Sequence, residues 1–245
     1  MKRLITLLSL VLITGFVYLI GWSPVLTVSS VTIKTSDPKN VSLILGQLES
    51  SGLGIDVGDP LARINARAIE RSLRDQNWIG EVSFERNWIS GEVRLFVREK
   101  SPRFILREVG LLSPERQVRF MTESGALFTL PGDLSNEYLG LPAVELRGSD
   151  PIDRAAAVDL FDVVDPLFPT NLIVVTPLST FITESEIKRP GSDQSRSVRI
   201  TWGGFEDIET KLIVVAELTE LKANRMAQRI DVSNPQLPIV SNRQQ

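Results

Sequence analysis

The sequence predicts an α+β chain: a single N-terminal transmembrane helix, then a β-α-α-β-β unit, then a mixed, mainly antiparallel β domain with covering helices. Three observations carry that expectation. An uncharged apolar run fills residues 4–22. Behind it, between residues 27 and 98, the hydrophobic spacing changes from two residues to about 3.6 and back, the signature of strand, helix and strand again. From residue 103 onward, short apolar runs are broken by Gly, Pro, Ser and Asn, which reads as strands joined by turns.

The apolar run, LITLLSLVLITGFVYLIGW, would rise roughly 28 Å as a helix at about 1.5 Å per residue, enough for one bilayer crossing. Lys2 and Arg3 precede it, so the positive-inside rule keeps residues 1–3 in the cytoplasm and sends residues 23–245 out, with Tyr18 and Trp22 at the far interface. A cleaved signal peptide is the rival reading, but its apolar region is shorter and an A-x-A-like site follows it, which is not seen here.

In the first unit, residues 27–35 (TVSSVTIKT) alternate as a strand. Asp37 and Pro38 begin a helix with Val41, Ile44, Leu45 and Leu48 on one stripe and Gly52 at its end. After the Gly58-Asp59-Pro60 turn, Ala66, Ile69 and Leu73 mark a second helix whose other face carries Arg67, Glu70, Arg71 and Arg74. Two strands follow. Val82, Phe84, Val93, Leu95 and Val97 face a core, while Glu81, Ser83, Glu85, Glu92, Arg94, Phe96 and Arg98 face water, and Gly91 serves the hairpin turn. Glu85, Arg86 and Glu99 are thus expected on a solvated face rather than in an active site, and Trp78 and Trp88 as packing anchors.

The second half begins with RFILR, QVRFM, ALFTL and GLPAVEL, read as a meander of antiparallel strands. Asp150 and Pro151 start a covering helix that runs to about Val164. NLIVVT and SVRITW are further strands, and Gly203-Gly204 lead into a helix with Phe205, Ile208, Leu212, Val215 and Leu218 on its inner stripe. The last strand covers residues 229–234.

Composition excludes several chemistries. The 245 residues are 42% hydrophobic, enough for a sizeable core. With 27 Lys and Arg against 30 Asp and Glu, the net charge of -3 lacks the basic excess that nucleic acid would need. His and Cys are absent, which removes disulfides, the usual zinc ligands, the thiol nucleophile and His-based acid–base catalysis. No metal or other cofactor is expected. An enzyme built from these residues would be a Ser-Lys hydrolase of signal-peptidase type, with Ser29, Ser30 and Lys100 as candidates, but no S-x-M-x-P environment surrounds the serines.

The order of elements, with Gly58, Leu61, Ile69, Leu73, Trp78-Ile79, Val82, Arg86, Trp88, Val93, Val97 and Glu99-Lys100-Ser101-Pro102, resembles the POTRA domain of the FtsQ/DivIB family of bacterial cell-division proteins. Residues 97–102 are similar to that family's V-x-E-[RK]-x-P segment, residues 123–128 to D-x-x-G-x-x-F and residues 141–144 to L-P-x-[LIV]. Lys211-Leu212 falls in a segment similar to G-x-x-x-x-x-x-K-L, and residues 230–235 in one similar to I-D-[VL]-x-x-P. Asn77 and Ile89 stand where the family often has proline, and the expected cytoplasmic tail is shorter than in many relatives.

The resemblance implies a short tail at 1–3, a transmembrane helix at 4–22, a POTRA domain at 27–100, an FtsQ-type β domain at 101–235 and a flexible tail at 236–245. It implies a non-enzymatic bitopic protein of the cell inner (cytoplasmic) membrane at the division septum. FtsB/DivIC-like and FtsL-like division proteins would be its partners, and septal peptidoglycan synthesis would be reached indirectly through them. A partner strand would add to the terminal sheet edge, at Ile230, Asp231, Val232, Ser233 and Asn234. A terminal strand covered by its own tail is the other reading of that segment. A POTRA-bearing secretion or chaperone component is the remaining alternative for the whole chain, although no room is left for a transmembrane barrel.

Overall fold

The computed structural model describes the backbone of residues 2–21, 26–107, 118–147 and 150–242. The chain divides into two compact units, Met1–Lys100 and Ser101–Gln245.

The first helix, α1, runs Lys2–Gly21. It corrects the expected anchor, because no helix among the described residues is long and apolar enough to cross a membrane. The transmembrane element of the fold class, the bitopic topology and the inner-membrane location are therefore not supported. Trp22, expected at the far interface, lies outside the described residues.

The rest of the first unit is β1 (Ser30–Lys34), α2 (Val41–Ser50), α3 (Ala66–Arg74), β2 (Ile79–Arg86) and β3 (Glu92–Glu99). A 3₁₀ turn over Pro38–Asn40 leads into α2, and the Asp37 carboxylate caps it by accepting from the Lys39 amide at 3.0 Å. Asn65 caps α3, its Oδ1 accepting from the Ala68 amide. Strand order is β1-β3-β2, with β1 parallel and β2 antiparallel to the central β3. Ile44, Leu48, Ile69 and Leu73 from the helices are buried, as are Val82, Val93, Leu95 and Val97 from the strands. Leu45, expected on the inner stripe, is exposed.

The β2–β3 turn depends on Gly91. Its φ is +72°, and a Cβ there would lie 2.5 Å from the Thr27 carbonyl oxygen. Trp88 beside it is 43% exposed rather than a buried anchor, and the Arg86 guanidinium lies over its ring at 5.3 Å.

Two of the residues expected on the solvated face prove to be ties. Arg86 is half-buried and donates to the carbonyls of Leu61 at 2.6 Å and Ile64 at 3.2 Å, so it pins the α2–α3 connection to the sheet. Glu99 is half-buried too, and accepts from the Ser36 amide at 2.9 Å and from Asn40 Nδ2 at 3.0 Å. Glu85 is exposed. Strand alternation itself puts both on the inner face, Arg86 with Val82 and Phe84 and Glu99 with Leu95 and Val97, at the ends of their strands where the charged groups reach the neighbouring connections.

The second unit holds one nine-stranded sheet. Its elements are β4 (Phe104–Arg107), β5 (Arg119–Met121), β6 (Leu127–Thr129), α4 (Gly132–Ser135), β7 (Ala143–Leu146), α5 (Pro151–Val164), β8 (Thr170–Val175), β9 (Phe181–Lys188), β10 (Ser195–Gly203), α6 (Ile208–Glu220), β11 (Arg229–Asp231) and β12 (Ile239–Ser241). Strand order is β12-β11-β10-β9-β8-β7-β4-β5-β6. The expected meander holds only for β4, β5 and β6, because β7 pairs parallel with both β4 and β8. A parallel neighbour needs a crossover, and α5 supplies it between β7 and β8, as α6 does between β10 and β11. Both crossovers step toward the same end of the sheet, so right-handed connection puts both helices on one face. Ala157, Val158, Leu160 and Val164 of α5 share one core with Leu212 and Val215 of α6, and with Ile173, Val198, Ile200 and Trp202 of the strands.

Two outcomes follow from the ties in the first unit. Arg86→Met should destabilise it by about 2 kcal/mol in chemical denaturation, because two carbonyls lose a charged donor. Glu99 tests the second tie by pH. Burial raises its pKa, but the Asn40 and Ser36 hydrogen bonds outweigh that and hold the carboxyl below the usual range. The lowered folded pKa means that its stabilisation is complete above the ordinary glutamate value of about 4.3 and is lost as pH falls through the folded value. The difference in melting temperature between wild type and Glu99→Gln should be largest near neutral pH and shrink below about pH 4.

Candidate interaction edge

The candidate edge is built outward from β9 and β10. These two strands pair antiparallel and bury one side of each, Phe181, Thr183, Ser185 and Ile187 on β9 and Arg196, Val198, Ile200 and Trp202 on β10. Half of the β9 set is polar, and its hydroxyls satisfy one another. Trp202 Nε1 donates to Thr183 Oγ1 at 3.0 Å, Ser185 Oγ donates to Thr183 Oγ1 at 3.2 Å, and Ser185 and Thr170 hydroxyls lie 2.9 Å apart. The single Thr170 hydroxyl proton can go to Ser185 Oγ, continuing the chain, or to the Phe168 carbonyl at 2.7 Å.

Because β11 is parallel to β10, the chain must climb over the sheet through α6 and come back. Buried cations hold both ends of that path. Lys211, 3% exposed, donates to the Gly204 carbonyl at 3.0 Å. Arg196 Nη1 donates to the carbonyls of Asn224 at 2.8 Å and Ala227 at 2.6 Å, while Asn224 Nδ2 donates to the Leu218 carbonyl. Burial lowers the Arg196 pKa, and the like charge of Arg189 lowers it further. Sequence reading placed Lys211 only by family resemblance and did not identify Arg196 or the hydroxyl chain, because polar residues at strand-spaced positions read as solvent-facing.

The five residues expected to bind a partner lie in and just after β11. Ile230 and Val232 are fully buried in the core beneath α6, Asp231 is half-buried, and Ser233 and Asn234 are exposed. The Val232 amide donates to the Thr201 carbonyl at 2.8 Å, so it faces the fold. Ser233 donates both its amide and its hydroxyl to Asp231 Oδ1, and Asn234 Oδ1 accepts from the Gln236 amide at 3.1 Å. Together they make a turn. Gly203 lets that turn sit against β10: its φ is +73°, and an added Cβ would lie 2.8 Å from Ser233 Cβ.

Beyond the turn the chain returns antiparallel as β12, with Ile230 opposite Val240 and Asp231 opposite Ile239. The edge therefore lies one strand further out than expected. Residues 236–242, expected as a flexible tail, include that strand, and residues 243–245 lie outside the described residues. The direction of the free backbone groups follows from alternation. Val232 bonds toward β10, so Asp231 bonds toward β12 and Ile230 again toward β10. Val240, opposite Ile230, must then point its N–H and C=O away from β11. Leu237 is 74% exposed and Ile239 66%, so exposed apolar side chains lead up to that backbone. At the other end of the sheet, β6 offers only half-buried Leu127 and buried Phe128.

The structure does not bring the Ser-Lys candidates together. Ser29 Oγ donates to the Ser90 carbonyl and Ser30 pairs with Glu92 at the start of β3. Lys100 follows the far end of β3 and donates to the Asn77 carbonyl at 2.6 Å. Seven strand steps separate Glu92 from Glu99, about 23 Å at roughly 3.3 Å per residue.

No protein-family model matches this chain, and no curated protein matches it.

Gly203→Ala tests the seat of the turn. Strain at positive φ and contact with Ser233 should destabilise the second unit by about 1–3 kcal/mol, and amide exchange should rise first in residues 229–241.

Proposed function

We propose that this protein is a non-enzymatic scaffold of the bacterial division complex that receives a partner strand at the β12 edge of its nine-stranded sheet. The observation that carries the reading is Val240, whose backbone N–H and C=O point outward from a terminal strand just after the exposed Leu237 and Ile239. An extended segment added there gains main-chain hydrogen bonds, and its alternate side chains meet those two apolar residues. Nothing in this mode requires a nucleophile, a metal or a bound cofactor.

The partner's identity rests on the resemblance to the FtsQ/DivIB family. In this reading a FtsB/DivIC-like protein supplies the strand, brings in a FtsL-like protein and so links the scaffold to septal peptidoglycan synthesis. Ile230 and Val232 act as the buried support for β12, while Asp231, Ser233 and Asn234 hold the turn that presents it.

Two proline variants separate support from contact. Val232→Pro removes the amide bonded to Thr201 and should lower stability by roughly 3 kcal/mol, as prolines inside a ladder do. Val240→Pro removes an amide that points away from β11, so the melting temperature should hardly change while affinity for a FtsB/DivIC-like segment falls about tenfold or more. Unchanged affinity in a folded Val240→Pro protein places the interface elsewhere.

A further inference from the structure

The first unit also ends in an edge, and there two of the outward backbone groups are occupied by side chains. In the sheet order β1-β3-β2, β2 has a strand on one side only. The Asn87 amide bonds to the Glu92 carbonyl, and alternation from that pair turns Val82, Phe84 and Arg86 outward. Two of the groups on that outer side have partners from α3. The Phe84 amide donates to Glu70 Oε1 at 3.1 Å, and Arg74 Nη2 donates to the Val82 carbonyl at 2.9 Å. Glu70 and Arg74, one helical turn apart, also pair with each other at 3.3 Å.

These two side chains reproduce one donor and one acceptor of a neighbouring strand. Their mutual ion pair contributes little by itself, since Arg74 is more than half exposed and surface pairs of this kind are weak. Their hydrogen bonds to the backbone are what matter, because a strand that paired with β2 would need the same Phe84 amide and Val82 carbonyl. A cleft of about 710 Å³ runs across this sheet, from Arg74 and Glu81, Ser83 and Glu85 of β2 over Phe96 and Arg98 of β3 to Lys34 at the end of β1. An extended chain laid beside β2 would find these two hydrogen-bonding groups already taken.

We propose that Glu70 and Arg74 form a clasp that closes the β2 edge, and that the strand it excludes is β2 of a second copy of this chain. The sequence of β2 is compatible with pairing to itself. In an antiparallel register centred on Val82, Gly80 stands opposite Phe84 of the second copy and Glu81 opposite Ser83, so no two like charges face each other. Eight residues make β2 long enough to template such a pair, and without the clasp the Phe84 amide and the Val82 carbonyl are left open to it.

The 245-residue chain has no cysteine, which allows a direct test without competing thiols. Ser83→Cys reports β2–β2 proximity through oxidative cross-linking, and Ser50→Cys on the exposed end of α2 reports unspecific association. Combining Glu70→Ala with Arg74→Ala should raise covalent dimer at position 83 by roughly tenfold, equivalent to about 1.4 kcal/mol, and leave position 50 unchanged. Glu70→Gln keeps an acceptor for the Phe84 amide and should stay at the wild-type yield when Arg74 is intact. Wild-type yield at position 83 in the double-alanine protein overturns the proposal. So does an equal rise at both positions, which marks unfolding rather than edge pairing.

Discussion

A strand at the border of a sheet leaves a backbone donor and acceptor unpaired at every second residue, and this constraint governs both units. In the first unit α3 answers it with Glu70 and Arg74, which bond to Phe84 and Val82. In the second unit the chain answers it once, by folding residues 239–241 back along β11, and thereby moves the unpaired row outward to Val240. The first border is closed by side chains and the second is left to backbone. That contrast distinguishes the two units.

The second border depends on the parallel pairing of β10 and β11. An antiparallel return would have needed only a short turn, whereas a parallel one requires α6 to be lifted over the sheet and set down again. Lys211 and Arg196 are buried because they stand at the two ends of that path, where carbonyls of the connecting segments need donors. Gly203 belongs to the same construction, giving Ser233 room beside β10. The position of β12 is thus inherited from contacts made well inside the unit.

Much of the first unit was legible because its strands have one wet face. Val82, Val93, Leu95 and Val97 alternate with charged residues, and Asp37 and Gly91 mark a helix start and a turn that the structure contains. Reading failed where a side chain's reach or a polar core decided the outcome. Arg86 and Glu99 looked like surface charge but bond to the backbone or to Asn40 across long sequence separations. β9 was missed, since Thr183 and Ser185 occupy its buried positions and blunt the hydrophobic alternation on which strand recognition relies. The candidate edge was placed one strand short for a related reason: residues 235–241 carry two prolines in a run too short to signal a strand. At the N-terminus, hydropathy alone suggested an anchor that the described helix does not support.

The hydroxyl chain through Trp202, Thr183, Ser185 and Thr170 bears on how β8, β9 and β10 find their alignment. Sliding one strand past another by two residues preserves which side chains point inward, so hydrophobic burial discriminates poorly between the native alignment and its nearest neighbours. A slip of that size would carry Thr183 away from the Trp202 indole and Ser185 away from Thr170, leaving hydroxyls and an N–H without partners in a dry interior. The polar residues that obscure β9 to pattern recognition are therefore the ones that make its alignment unique.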